Sequence, residues 1–131
     1  MRAALIISTA LAAVLATAAP AIAHHSFAAE FDIARPVKLS GPVTKLEWTN
    51  PHSHLFVTVT ESDGRSAEWV CEASPPNVLA RRGLGRSVLH IGDTLTVEGF
   101  RAKDASNNGF GQKVTYPDGR NVFTASAPNQ Q

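Results

Sequence analysis

The chain has 131 residues, 44% of them hydrophobic, with 12 Lys and Arg against 11 Asp and Glu. This length supports one modest domain and excludes a multi-domain enzyme. The balanced charge argues against a nucleic-acid partner, because binding to phosphates depends on clustered Lys and Arg.

Residues 1–23 have the charged, apolar and small-residue order of a secretory signal peptide. Arg2 precedes an uncharged run from Ala3 to Ala16, and small residues lead to Ala23. We expect cleavage after Ala23, which leaves 131 − 23 = 108 residues in the periplasm or the medium. A retained membrane anchor is the alternative. The apolar run is short for a bilayer, so we expect no membrane span after signal removal.

The mature chain opens with an N-terminal arm, residues 24–36. Phe27 and Phe31 are four residues apart, a spacing that lets one face of a short helix or turn pack on the body of the protein. Pro36 closes this segment. From Val37 to Trp48 the apolar residues change phase near Gly41-Pro42, which predicts a strand with a bulge or bend.

Alternation then predicts a hairpin with one apolar face. Its inner residues are Leu55, Val57 and Val59 before the turn at 62–64, and Ala67, Trp69, Cys71 and Ala73 after it. A short helix follows over 74–83, with Ser74 as a candidate cap and Gly83 as its stop.

The remaining elements are a strand over 94–101, a polar glycine-rich segment over 102–111, and a hairpin over 112–124 around Tyr116-Pro117-Asp118-Gly119. Residues 126–131 are expected to be a disordered tail. This order predicts a mainly β domain over 37–125. We expect a small five- to six-stranded barrel resembling an oligomer-binding fold, with one short helix between strands 3 and 4. A sandwich-like open sheet is the alternative.

Four separated stretches resemble one family of small exported bacterial proteins, domain of unknown function 6152. They begin with His24-His25-Ser26-Phe27, Glu47-Trp48-Thr49-Asn50-Pro51-His52, Ser74-Pro75-Pro76-Asn77 and Gly92-Asp93. The resemblance implies export, a mostly β fold and prominence of the His-His-Ser start and the Asn-Pro-His turn, but no activity. Where the family pattern leads us to expect an aromatic residue, this chain has His54.

The candidate metal ligands are His24, His25, His52 and His54. Cleavage after Ala23 gives His24 a free α-amine beside its imidazole, and these two nitrogens can chelate one metal as a histidine brace. His25 offers a competing planar chelate with the amine and its own amide, which suits Cu(II). His52 and His54, two apart in an extended segment, point to the same side and can complete the site. Copper is therefore the favoured metal.

The alternative is that His24 and His25 are a solvated terminus and His52 a turn residue. No catalytic motif is present, so we do not expect an enzyme. Glu47, Glu68 and Glu72 are expected on solvated strand faces, His90 in a surface loop and Cys71 in the core. Trp48 and Trp69 are also expected in the core, whereas Phe56 and Tyr116 are candidates for exposed stacking positions.

Two hypotheses follow. In the first, an exported, non-catalytic binding protein holds a transition metal through its mature N-terminal histidines. In the second, a periplasmic β-barrel interaction module binds an envelope protein or a small ligand without metal, and the arm only packs.

Overall fold

The computed structural model describes residues 27–124, and the protein is mainly β as predicted. Two short helices accompany six strands. The helices are α1, Phe27–Glu30, and α2, Pro76–Arg81. The strands are β1, Phe31–Glu47; β2, Ser53–Thr60; β3, Ser66–Ala73; β4, Thr94–Ala102; β5, Asn108–Thr115; and β6, Asn121–Phe123.

The strands form one sheet in the order β3-β2-β1-β4-β5-β6, with antiparallel neighbours. A further, parallel pairing joins β3 to β5, from Val70 opposite Asn108 to Glu72 opposite Phe110. Hydrogen bonding therefore runs in a ring through β1, β2, β3, β5 and β4, and β6 extends the sheet beside β5. The helix between the third and fourth strands, α2, lies where the sequence predicts it.

The long strand β1 changes partner along its length. It pairs with β4 as far as Pro42 and with β2 from Val43, where the register shifts. A side chain at Gly41 would overlap the carbonyl oxygen of Thr58, so only glycine allows this close approach. The bend predicted near Gly41-Pro42 is confirmed.

The arm is shorter than the sequence suggests, because β1 already begins at Phe31. Phe31 and Asp32 pair with the end of β4, and the register shifts before Pro36. Pro36 therefore lies within a strand and does not end a separate segment. The signal peptide, His24, His25 and the tail over 126–131 lie outside the described residues.

The core fills the inside of the ring and confirms the predicted alternation. Leu55 and Val57 of β2 and Trp69 and Cys71 of β3 are at most 5% exposed. They pack with further apolar side chains from the other elements: Leu39, Val43, Leu79, Leu84, Leu89, Leu95, Val97 and Val114. Trp48 is partly buried against the same cluster.

Two local predictions need correction. Ser74 does not cap α2, because Pro75 occupies the cap position and no side chain of the described chain bonds there. The second correction concerns β5. It begins at Asn108, so the end of the polar, glycine-rich segment over 102–111 is already a strand. Gly83 does follow the helix with φ +86°, as expected for a stop. Between residues 27 and 124, no helix is long and apolar enough to cross a membrane.

Candidate functional site

Helix α1 is held on the outer surface of the ring by aromatic packing. The ring of Phe27 lies edge-on to that of Phe110, with centroids 4.9 Å apart, and 5.4 Å from that of Phe31. Phe100 is a third partner, at 6.0 Å. Phe100 and Phe110 are cross-strand neighbours on β4 and β5. One aromatic side chain of the arm thus anchors it to two strands of the ring.

Lys103 ties the backbone of α1 to the end of β4. Its amide donates a hydrogen bond to the carbonyl oxygen of Glu30 at 2.9 Å, and its Nζ donates to the carbonyl oxygen of Ala28. Both bonds join positions far apart in the sequence. Phe27, the first residue that the structure describes, therefore has a defined place on the fold.

A cavity of about 520 Å³ lies beside this anchored arm. Glu30 of the arm lines one side, and His54 and Glu72 on β2 and β3 line another. Lys103 and Asp104, at the end of β4, complete the charged lining. The cavity thus brings the arm next to one of the predicted histidines.

The cavity wall belongs to a row of cross-strand neighbours on the outer face. His54 lies opposite Glu47 on one side and opposite Glu72 on the other. Its Nδ1 is 3.8 Å from Glu47 Oε2, beyond hydrogen-bond distance, and this buried atom has no hydrogen-bond partner within residues 27–124. The imidazole therefore lies between two carboxylates without a short bond from Nδ1 to either.

His52 makes the short contact in this region. Its Nδ1 lies 2.8 Å from Glu72 Oε1, while its carbonyl oxygen accepts a bond from Thr49 Oγ1 at 2.9 Å. The imidazole is 45% exposed and the Glu72 side chain only 19%. The contact thus joins an accessible ring to a largely covered carboxylate.

Burial raises the pKa of Glu72, since removing a carboxylate from water disfavours its charged form. The nearby charge of His52 opposes this rise in pKa, Glu30 adds to it, and His54 opposes it. Glu72 is therefore less solvated than the sequence predicts, with 19% of its side chain exposed. Glu68 is exposed as predicted, and Glu47 is more exposed than Glu72 and pairs with Lys45 Nζ at 2.6 Å.

Of the four predicted ligands, His52 contacts Glu72, and His54 is the cross-strand neighbour of Glu72 with no hydrogen bond from its Nδ1 within residues 27–124. The other two, His24 and His25, lie outside the described residues. Residues 27–124 hold no group of three or more His, Cys, Asp or Glu side chains arranged for a metal. His90 is exposed in a loop, as expected.

Three other residues singled out in the sequence differ in burial: Cys71, Tyr116 and Phe56. Burial raises the pKa of the Cys71 thiol to about 12, which fits the core role and not that of a thiolate ligand. Tyr116 is only 8% exposed, so its predicted role as an exposed stacking residue is wrong. Phe56 is half-buried, with Lys45 Nζ 4.7 Å from the centre of its ring.

Sequence reasoning missed the part played by Glu72, Lys103 and the Phe100–Phe110 pair. Glu72 alternates with Cys71 and so points outward, but it lines a cavity together with residues of α1 and β5. The parallel pairing of β3 with β5 is not visible in any local pattern. Phe27 in the arm, with Phe100 and Phe110 in later strands, was the sequence signal that could have indicated this packing.

A comparison with protein families matches residues 11–112 to the Family of unknown function (DUF6152). The search of curated proteins finds no match. The family match covers 102 of the 131 positions (112 − 11 + 1), including the arm, β1 to β4 and part of β5. The chain therefore belongs to this family of unknown function, DUF6152.

Proposed function

We propose that this chain is an exported, non-catalytic protein of the periplasm or medium that holds a transition metal, with copper favoured. His24 supplies the α-amine and an imidazole nitrogen. His25 is the alternative N-terminal ligand, and His52 and His54 add imidazoles from the body of the protein.

The observation that carries this proposal is the anchoring of the arm beside the cavity. Cleavage after Ala23 leaves three residues before Phe27. An extended chain spans about 3.3–3.6 Å per residue, so a terminus at His24 can reach no farther than roughly 11 Å from Phe27. Phe27 is fixed by its aromatic partners, and the cavity begins at Ala29 and Glu30. This reach supports a meeting between the terminus and His54 of β2, which lines the same cavity.

The donor set favours copper on chemical grounds. An amine and imidazoles are nitrogen ligands that suit copper, nickel and zinc, and copper binds most tightly among the divalent first-row metals. A histidine must be neutral to coordinate, so metal occupancy falls as pH drops through about 6.5.

The direct test is a Cu(II) and Zn(II) titration of protein secreted and processed in its own type of host, with the start verified by intact mass. A start at His24 and one tight copper per chain are expected. His24→Ala should weaken Cu(II) binding strongly, and unchanged binding would exclude the brace. His25→Ala separates the planar chelate from the brace, while His90→Ala, in an exposed loop, is the matched control.

We also propose that the ring of strands is a barrel of the oligomer-binding type. The closing pair of β3 with β5 and the position of α2 between β3 and β4 support this assignment. Comparison of an experimental structure with known barrels of this type tests it, and an open gap between β3 and β5 would contradict it.

The partly exposed outer face favours a second candidate, an interaction module that binds a protein or small ligand without metal. Phe56 supports it, because its half-buried ring lies on the outer face of β2. Under this candidate, Phe56→Ala weakens partner capture while the histidine changes have little effect. A partner insensitive to Phe56→Ala would count against it.

A further inference from the structure

We infer that Glu72 is a positioning residue for His52, holding the imidazole in the tautomer that presents Nε2 as the nitrogen able to bind a metal. This inference rests on the proposed function only for its role in metal binding. The hydrogen bond and the tautomer are properties of the metal-free protein and can be measured separately.

The geometry carries the first step. Glu72 Oε1 and His52 Nδ1 are 2.8 Å apart, a hydrogen-bond distance. An ionised carboxylate can only accept, so in neutral His52 the proton of this bond is on Nδ1. The lone pair is then on Nε2. In a free histidine no such partner selects between the two nitrogens.

The second step is that Glu72 is itself held in place. It projects from the middle of a three-strand segment, between His54 on β2 and Phe110 on β5 in the pairing register. Its side chain is 19% exposed, whereas that of His52 is 45% exposed. The covered carboxylate is the fixed partner, and the accessible loop imidazole is the one that it orients.

The third step concerns what a carboxylate does behind a ligating histidine. A carboxylate that bonds one nitrogen of a ligating histidine fixes its ring and raises its basicity. The pair therefore resembles in its chemistry the outer support of a metal-binding imidazole, with Glu72 outside the set of direct ligands.

The experiment is a long-range ¹H–¹⁵N correlation spectrum of the metal-free mature protein at pH 8. In the wild type we expect His52 protonated on Nδ1 and unprotonated on Nε2. In Glu72→Ala we expect a shift toward protonation on Nε2, whereas Glu72→Gln retains an acceptor oxygen and keeps the wild-type tautomer. Glu68→Ala is the control, because Glu68 lies on the same strand and bonds Thr44 instead, at 3.2 Å.

The same four proteins are then titrated with Cu(II). We expect Glu72→Ala to lower the affinity about 10- to 100-fold, the range for loss of an outer partner. Glu72→Gln should keep most of the affinity, and Glu68→Ala should match the wild type.

Three results would overturn the inference. One is a wild-type protein in which His52 is protonated on Nε2. This measurement does not depend on the folding of any variant. Another is an unchanged tautomer in Glu72→Ala. The third is a Glu72→Gln protein that keeps the tautomer but loses as much affinity as Glu72→Ala, which would make Glu72 a direct ligand. If the tautomers behave as expected but the wild type binds no copper, the proposed function fails and the positioning of His52 by Glu72 stands.

Discussion

The inner and outer faces of strands β2 and β3 differ in the chemistry of the side chains that they bury. On the inner face, Leu55, Val57 and Cys71 are at most 1% exposed and contribute to the apolar core. On the outer face, His54 and Glu72 are cross-strand neighbours, and both line the cavity beside the arm. The inner face gains stability from burying apolar groups, whereas the outer face covers a carboxylate at a cost in free energy.

The free-energy cost of partly covering a carboxylate therefore lies on the outer face, at Glu72. Covering Glu72 raises its pKa, and a buried carboxylate is expected only where a partner or a function compensates for it. His52 is the partner seen in the structure. Changes on the inner face should therefore affect global stability, while changes on the outer face should affect local order and binding.

The largest expected effect is on the inner face. Leu55→Ala removes a side chain that is 1% exposed and leaves a cavity in the ring. We expect the free energy of unfolding to fall by about 2–5 kcal/mol, measured by urea denaturation. Ile91→Ala, at a position 68% exposed, is the control and should change the free energy by less than about 0.5 kcal/mol. Equal losses in both would contradict the assigned core.

A smaller effect is expected where β4 approaches β5. A Cβ on Gly99 would overlap the carbonyl oxygen of Phe110, so Gly99→Ala must displace one strand. Overpacking of this kind costs about 1–3 kcal/mol in the free energy of unfolding. Gly85→Ala is the matched control, since its Cβ would meet Ala80 atoms at an ordinary 3.8 Å. A Gly99→Ala protein as stable as Gly85→Ala would show that the strands are not this close.

The strands differ in how far the sequence alone could predict them. The hairpin of β2 and β3 follows from alternating residues between Leu55 and Ala73, a pattern that local burial imposes. The bend near Gly41 was visible as a change of phase. The start of β5 was not, because Asn108 and Gly109 have the composition of a loop while tertiary pairing makes them a strand.

The candidate site was predictable only in part, for the same reason. His52 and His54 were identified by their spacing in one segment. The role of Glu72 depends on β3 pairing with β5 and on the cavity that α1, β3 and β5 line together, an arrangement of residues distant in sequence. Local spacing thus located two imidazoles, while the carboxylate that bonds one of them, His52, could be found only from the ring of paired strands.

Cys71 gives a pH-dependent test of the inner face. Its pKa is about 12 in the folded protein against a reference value of 9.0, so its stabilising contribution is present below pH 9 and is lost as pH rises from 9 toward 12. Above pH 9 the unfolded chain has released a proton that the folded chain retains. Stability should fall by about 1.4 kcal/mol per pH unit relative to Cys71→Ala. Urea denaturation of both proteins from pH 8 to 10.5 isolates this difference, and parallel curves would contradict burial of the thiol.

The smallest global effect is expected on the outer face, from Phe27→Ala. Phe27 is half-buried and its aromatic contacts are each worth about 0.5–1.5 kcal/mol. Because α1 is a single turn of four residues, the loss of these contacts should release the arm while the ring stays folded, lowering global stability by about 1 kcal/mol or less.

Amide hydrogen exchange measures this release at one position. The Lys103 amide bonds the Glu30 carbonyl oxygen, so its protection should fall in Phe27→Ala, while that of core amides such as Val57 persists. Phe56→Ala, another half-buried outer aromatic, should leave Lys103 protected. If Phe27→Ala instead lowers protection throughout the sheet, the arm is part of the core and the two faces are not energetically separate. If only Lys103 and its neighbours respond, the arm is a locally ordered attachment to the outer face, and the ring of strands folds independently of it.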